Sequence, residues 1–352
     1  MTAQTTYDWR LPENRREAFQ RFYTFHLTYR THPGCVYFML PAIASMLHMT
    51  DADKAWLVWL NGNTENPVTT WLLLQAAPHA SDWRKAVDYW NDHFKELQWD
   101  TDRRYQKSKF GIATEHWAAA TGTAHPEEPW LAHSGTWREE WAYAVGQPYM
   151  GRLSAWSMLE YARILLPGIP DADDLMLDDR NGSTSHRDGL AVVAGYDAAH
   201  WTWNDVEERD LLPRLKELGV SLLNEARARN PHNSDVCNLT LESTLCTYKS
   251  WHKRNRRYPN VYADMLADRI RHAEQCPTLP SELMAPLWQV RKLALPDYLR
   301  VEDCVRDPGL SSIKQNWYRN HGVPVMMHRM FPDMDNELNQ WIDGRSDNEP
   351  SE

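Results

Sequence analysis

HPGCVYFMLPAIASMLHMTDADKAWLVWLNGNTENPVTTW, residues His32 to Trp71, is the stretch whose reading decides the fold. Two helix-forming runs with apolar faces are punctuated by a turn at Pro33-Gly34 and by a polar knot, Asn61-Gly62-Asn63-Thr64-Glu65-Asn66-Pro67. Thr50, with Asp53 three residues on, forms a capping pattern, and the run behind it sends Trp56, Val58, Trp59 and Leu60 towards a core. Asn and Gly tolerate left-handed backbone in the knot, and Pro67 suits the first turn of the next helix, which carries Val68, Trp71 and Leu72. The knot has two readings. One is a well-made interhelical turn. The other follows from density: three Asn amides, a Thr hydroxyl and a carboxylate within six residues suit a planar, hydrogen-bonding ligand such as a nucleobase.

The same helical periodicity recurs along the 352 residues, so the expected class is all-α. Phe19, Phe22, Tyr23 and His26 mark one stripe of a first helix running to about Tyr29, and Trp83, Ala86, Val87, Trp90, Phe94 and Leu97 mark another behind Ser81 as cap. Further helices are expected around 114–120, 136–145 and 151–166, from 206 to 229 with an interruption at Pro213, from 235 to 254, and after Pro259. Ser185 can cap the run HRDGLAVVAG, within which Leu190 to Ala194 could also form a strand, since one short apolar run cannot be typed by periodicity. The proline- and aspartate-rich segment 167–184 divides an N-terminal helical lobe, 1–166, from a second one, 185–300. A C-terminal extension, 301–343, and a disordered tail, 344–352, follow.

Composition narrows the function classes. A formal charge of −10 argues against a protein that coats nucleic acid without specificity, though it leaves room for a local basic track. Five scattered cysteines without a C-x-x-C, and 15 histidines without an H-E-x-x-H, indicate neither a disulfide framework nor a metal site. The aspartates of 167–184 lack the closing Glu of a calcium loop. No P-loop or dinucleotide fingerprint occurs. Without a membrane span or signal-peptide layout, the expected location is the cytoplasm. Most of the 18 tryptophans should be core, with a minority left to stack on a base.

Three further clusters suit anion chemistry. Arg103, Arg104, Lys107 and Lys109 lie together without an acid among them, enough to grip two or three phosphates or simply to form a solvated helix end. In DVCNLTLESTLCTYKSWHKR, helical geometry puts Asp235, Asn238, Glu242, Cys246, Lys249 and Lys253 on one polar stripe within an otherwise apolar helix. Such a stripe can supply a base and an anion clamp, or be a polar edge facing water. Lys253, Arg254, Arg256 and Arg257 follow it and lead into a turn at Tyr258-Pro259, an arrangement loosely like a helix-hairpin-helix. Ser183, Ser185, His186, Arg187, Asp188 and Gly189 form a hydroxyl-rich helix start that fits a pyrophosphate or a carboxylate, or else a cap with a surface Arg.

Taken in order, YRTHPGCVYFMLP, WLNGNTENPVTTW, WDTDRRYQKSKF, GSTSHRDGL and LESTLCTYKSWHKRNRRYP resemble the amino acid:DNA transferases of bacteriophages and their prophages. That group belongs with the α-glutamyl and putrescinyl thymine pyrophosphorylases of thymine hypermodification, and the likeness runs from about Leu11 to Glu274. The resemblance implies a fold related to helix-hairpin-helix glycosylases and a location in the host cytoplasm. It also implies replacement of the pyrophosphate on 5-pyrophosphoryloxymethyl-deoxyuridine in double-stranded DNA by a small amino acid or a polyamine. Such a reaction asks for base extrusion, neutralisation of the departing pyrophosphate, and deprotonation of the incoming group. On the residues read above, Trp59, Asn61, Asn63, Thr64, Glu65 and Asn66 would bind the flipped base. Arg187, His186 and Lys249 would take the pyrophosphate, with Glu242 as general base. Arg103, Arg104, Lys107, Lys109, Lys253, Arg254, Arg256 and Arg257 would follow the DNA backbone. No protein-bound cofactor is required, although Mg2+ can accompany pyrophosphate. A glycosylase-like enzyme and a non-catalytic binder of modified DNA are the competing readings.

Overall fold

The computed structural model describes residues 11–29, 36–100, 103–132, 135–179, 184–196, 205–254 and 261–294. Every regular element among them is helical: α1 (Arg15–Tyr29), α2 (Val36–Met46), α3 (Asp51–Thr64), α4 (Pro67–Ala76), α5 (Trp83–Asp92), α6 (Arg104–Lys107), α7 (Phe110–Thr121), α8 (Glu128–Leu131), α9 (Trp137–Gly146), α10 (Arg152–Leu165), α11 (Ser185–Val193), α12 (Asp205–Arg229), α13 (Asn238–Arg254), α14 (Val261–Gln275) and α15 (Met284–Ala294). The all-α expectation is met. None of the described helices is long and apolar enough to cross a membrane.

The described chain forms two compact units, interleaved along the sequence, with one crossing between Asp173 and Asp174 in the aspartate-rich loop. The first unit packs α1, α11, α12 and α13 together. Its core is the aromatic stripe of α1 against α13: the Phe19 and Tyr248 rings meet edge to face at 5.2 Å, and Phe22 lies 5.2 Å from Trp251. Tyr23 fixes the register, its hydroxyl 2.7 Å from that of Thr240. The second unit places α10 against α2, α3 and α9, with α4, α5 and α7 continuing the stack and α15 covering α2.

Local chemistry explains where these helices start and stop. Thr50 and Asp53 form the expected reciprocal capping box. Asn66 caps α4 by accepting from the backbone N–H groups of Val68 and Thr69, and Pro67 takes the first turn. Three expectations are corrected. Leu190 to Ala194 is not a strand: Leu190 to Val193 lie within α11, where they are buried, and Ala194 is its C-cap. Pro213 does not interrupt α12, since Leu211, Leu215 and Leu222 keep one apolar face buried along its length. Ser81 does not cap α5 but lies within a 3-10 turn, Ala80–Asp82, ahead of Trp83.

Candidate functional site

Helices α11 and α13 make the tightest helix pair of the first unit, and Gly189 is the reason. A Cβ built there would stand 2.5 Å from the carbonyl oxygen of Leu245 and 2.9 Å from its carbon, so only glycine permits this approach. The closeness brings the first turn of α11 against the polar stripe of α13. His186 Nδ1 lies 3.1 Å from Glu242 Oε1, and both side chains are almost wholly buried. Two turns further along α13, the Lys249 ammonium donates to Ser185 Oγ at 2.9 Å and to Asp188 Oδ2 at 3.3 Å. Cys246 joins His186 and Glu242, with the donor atoms of all three within 4.8 Å of one another. Ser185 thus receives a charged donor instead of capping its helix; the N-cap position belongs to Thr184, which makes no side-chain cap bond.

Two segments read separately from the sequence, 183–189 and 235–253, therefore meet along one helix contact, where His186 stands against Glu242 and, two turns along α13, Lys249 is held by Ser185 and Asp188. The fourth candidate, Arg187, is buried and donates through Nη1 to the carbonyl oxygen of Leu177 at 3.2 Å.

The polar knot is a different matter. Asn61, Gly62, Asn63 and Thr64 are not a loop but the last turn of α3. Glu65 takes left-handed backbone, φ 48°, as its C-cap. Asn63 Nδ2 donates to the carbonyl oxygen of Trp59, Asn61 Oδ1 accepts from Thr70 Oγ1, and the Thr64 and Thr70 hydroxyls lie 2.7 Å apart. Trp59 stacks on Trp117 at 5.2 Å and 13° and donates to Thr114 Oγ1. Burial leaves none of these side chains a face on which a base could lie, so the expected base-binding roles of Trp59, Asn61, Asn63 and Thr64 give way to packing.

Arg103 is corrected on the same ground. Its side chain is 0% exposed, donates through Nε to the carbonyl oxygen of Gly62, and places Nη1 3.4 Å from Glu65 Oε2. It holds the α3–α4 turn and offers nothing to a phosphate. Tyr161 borders this buried charge, and burial foremost, then the Glu65 carboxylate, push its phenol well above the usual range.

Its neighbours face outward. Arg104 and Lys109 are exposed and Lys107 half-buried. An open cleft of about 430 Å³ in the second unit is lined by Lys95, Arg104, Lys107 and Arg269, with Asn66, Gln98 and Asp100 between them. Lys107 Nζ sits 4.8 Å from the Phe94 ring centre and 6.0 Å from that of Trp99, and burial lowers its pKa. Arg269 is held by Asp100. Arg269 was missed as a candidate because nothing near it in sequence signals a partner 169 residues away, and Lys95 because it stands alone beside Glu96, outside the run of basic residues at 103–109. Lys253 and Arg254 end α13; their side chains, like Arg256, Arg257 and Ser183, lie outside the described residues.

A helical protein with a buried acid–base couple in one unit and a basic cleft in the other has the parts of a group-transfer enzyme that acts on a polyanion. Residues 38–258 match the model of the amino acid:DNA transferase family, and the chain belongs to that family. It is a transferase that modifies DNA with an amino acid. A serinyltransferase of Salmonella phage ViI is 27% identical over 354 aligned positions, which cover 90% of this chain and 83% of that protein. No solved structure matches the chain.

Proposed function

We propose that the enzyme transfers a small amino acid, serine on the example of the phage ViI relative, to an activated thymine derivative in double-stranded DNA, displacing pyrophosphate. The observation that carries this reading is the His186–Glu242–Lys249 centre, built by α11 and α13 inside the segment matched by the family model.

The substrate in this reading is 5-pyrophosphoryloxymethyl-uracil. Its exocyclic carbon–oxygen bond breaks with the electron pair leaving on pyrophosphate, and the uracil ring stabilises the positive charge that develops on the methylene. The amino acid's nitrogen or hydroxyl oxygen bonds to that carbon and gives up a proton. Glu242 and His186 form the couple that takes the proton, the carboxylate standing 3.1 Å from the imidazole Nδ1. Lys249, fixed by Ser185 and Asp188, presents the positive charge that favours the leaving diphosphate. Arg104, Lys107, Lys109, Lys95 and Arg269 of the second unit serve the DNA phosphates, with no part in the chemistry.

Duplex DNA carrying the pyrophosphorylated base, purified enzyme and a panel of amino acids and polyamines, read out by mass spectrometry of the nucleosides, tests this. A new nucleoside bearing the amino acid, formed with stoichiometric pyrophosphate, is the expected result. Release of a free base with an abasic site would establish the glycosylase-like reading instead. Equal binding of modified and unmodified DNA with no product would establish the non-catalytic one.

A further inference from the structure

We propose that α11 and α13 hold a thiophilic divalent metal ion, zinc in the first instance, on His186, Glu242 and Cys246. The donor atoms of these three side chains lie within 4.8 Å of one another. Glu242 and Cys246 are one turn apart on the same face of α13, the spacing that lets two helical side chains share an ion. His186 arrives from α11 through the close approach at Gly189.

The second observation is the state of the imidazole. His186 is 1% exposed, yet neither ring nitrogen makes a hydrogen bond among the described residues, although Nδ1 is 3.1 Å from the Glu242 carboxylate. A buried imidazole with both nitrogens unsatisfied is costly, and a close nitrogen–oxygen approach without hydrogen-bond geometry is what two ligands of one ion display. Around a tetrahedral zinc, with bonds of about 2.0–2.2 Å, nitrogen and oxygen ligands stand roughly 3.3 Å apart.

Charge and donor type fit the same ion. A dication with one carboxylate, one thiolate and one neutral imidazole sums to zero, so the buried site holds no net charge. Thiolate with imidazole selects zinc and its transition-metal neighbours over magnesium or calcium, which prefer all-oxygen shells. Three protein ligands also leave one tetrahedral position open, as in catalytic zinc sites. An oxygen of the departing diphosphate would take that position, a statement that rests on the transfer reading, whereas the metal site itself does not. With the ion seated, Glu242 and His186 serve as ligands in place of the proton-accepting couple of the metal-free site, and loss of Glu242 stops transfer by emptying the site.

The full chain, stripped with chelator and titrated with zinc against a chromophoric competitor, should bind one zinc. Cobalt in its place should give a thiolate-to-metal charge-transfer band in the near ultraviolet. Cys246→Ser should abolish that band and Cys276→Ser, in the other unit, should keep it. His186→Asn and Glu242→Gln should weaken zinc by at least about tenfold, the loss typical of disturbing even a ligand's supporting partner. No stoichiometric zinc in the wild type, or equal binding by the two cysteine variants, would overturn the proposal. Zinc bound without transfer would sink the transfer reading and keep the site; transfer by a chain that binds no zinc would do the reverse.

Discussion

Gly189→Ala is the substitution for which the structure sets the clearest magnitude. The added methyl meets backbone, not a flexible side chain: Leu245 oxygen at 2.5 Å, its carbonyl carbon at 2.9 Å and its Cβ at 3.0 Å. Helices α11 and α13 must separate to admit it. Overpacking of this kind costs up to about 3 kcal/mol. Alanine's better helix propensity returns about 1 kcal/mol, so the net loss should be about 2 kcal/mol. The separation also moves His186, one turn away, from Glu242, and a displacement on the order of 1 Å at a reacting group costs about a hundredfold in rate. Denaturant unfolding and single-turnover transfer should be measured beside Gly146→Ala, where the methyl meets nothing within 4 Å and little change is expected. A Gly189→Ala enzyme as stable and as active as the parent would refute the claim that this contact assembles the centre.

Arg104→Ala and Lys107→Ala should each weaken DNA binding evenly across sequences and lower the slope of log affinity against log salt by about one, without altering the rate at saturating DNA; unchanged slopes would remove the cleft from the DNA path. Arg103→Ala should instead destabilise the fold by about 3–5 kcal/mol, because it leaves Glu65 facing an empty, buried position; a drop in DNA affinity with no loss of stability would contradict this. Burial pushes the Tyr143 phenol up to about 12, with the Glu140 charge acting in the same direction. Since the unfolded chain gives up that proton first, stability should be intact below pH 10 and fall as pH climbs from about 10 to about 12, less steeply in Tyr143→Phe; identical alkaline unfolding curves would refute the assignment.

Helix type and most helix starts were legible because their causes are local. The Thr50–Asp53 box, the helix start at Pro67 and the aromatic stripe of α1 each depend on residues within a turn or two. The stripe of α13 was legible too, since helical spacing alone aligns Glu242, Cys246 and Lys249. Its partner was not, because only the missing side chain of Gly189 says that α11 lies against it, and glycine at a helix contact has no pattern of its own. The polar knot misled for a related reason. Asn61, Asn63 and Thr64 look like a surface reader in sequence, yet all three are buried and bonded to the Trp59 carbonyl or the Thr70 hydroxyl, and no local pattern of polar residues marks them as core. Arg103 and Arg104 are adjacent and alike in sequence, and a single helical step puts one in the core and the other on the surface.

The claim on which the account rests is that the α11–α13 centre performs the transfer. The direct measurement is the single-turnover rate at saturating pyrophosphorylated DNA and serine, comparing Glu242→Gln with Arg104→Ala. The account predicts that Glu242→Gln lowers that rate by about a hundredfold or more with helical content unchanged, whereas Arg104→Ala reaches the parent rate once enough DNA is supplied. A Glu242→Gln enzyme that turns over at the parent rate would contradict it.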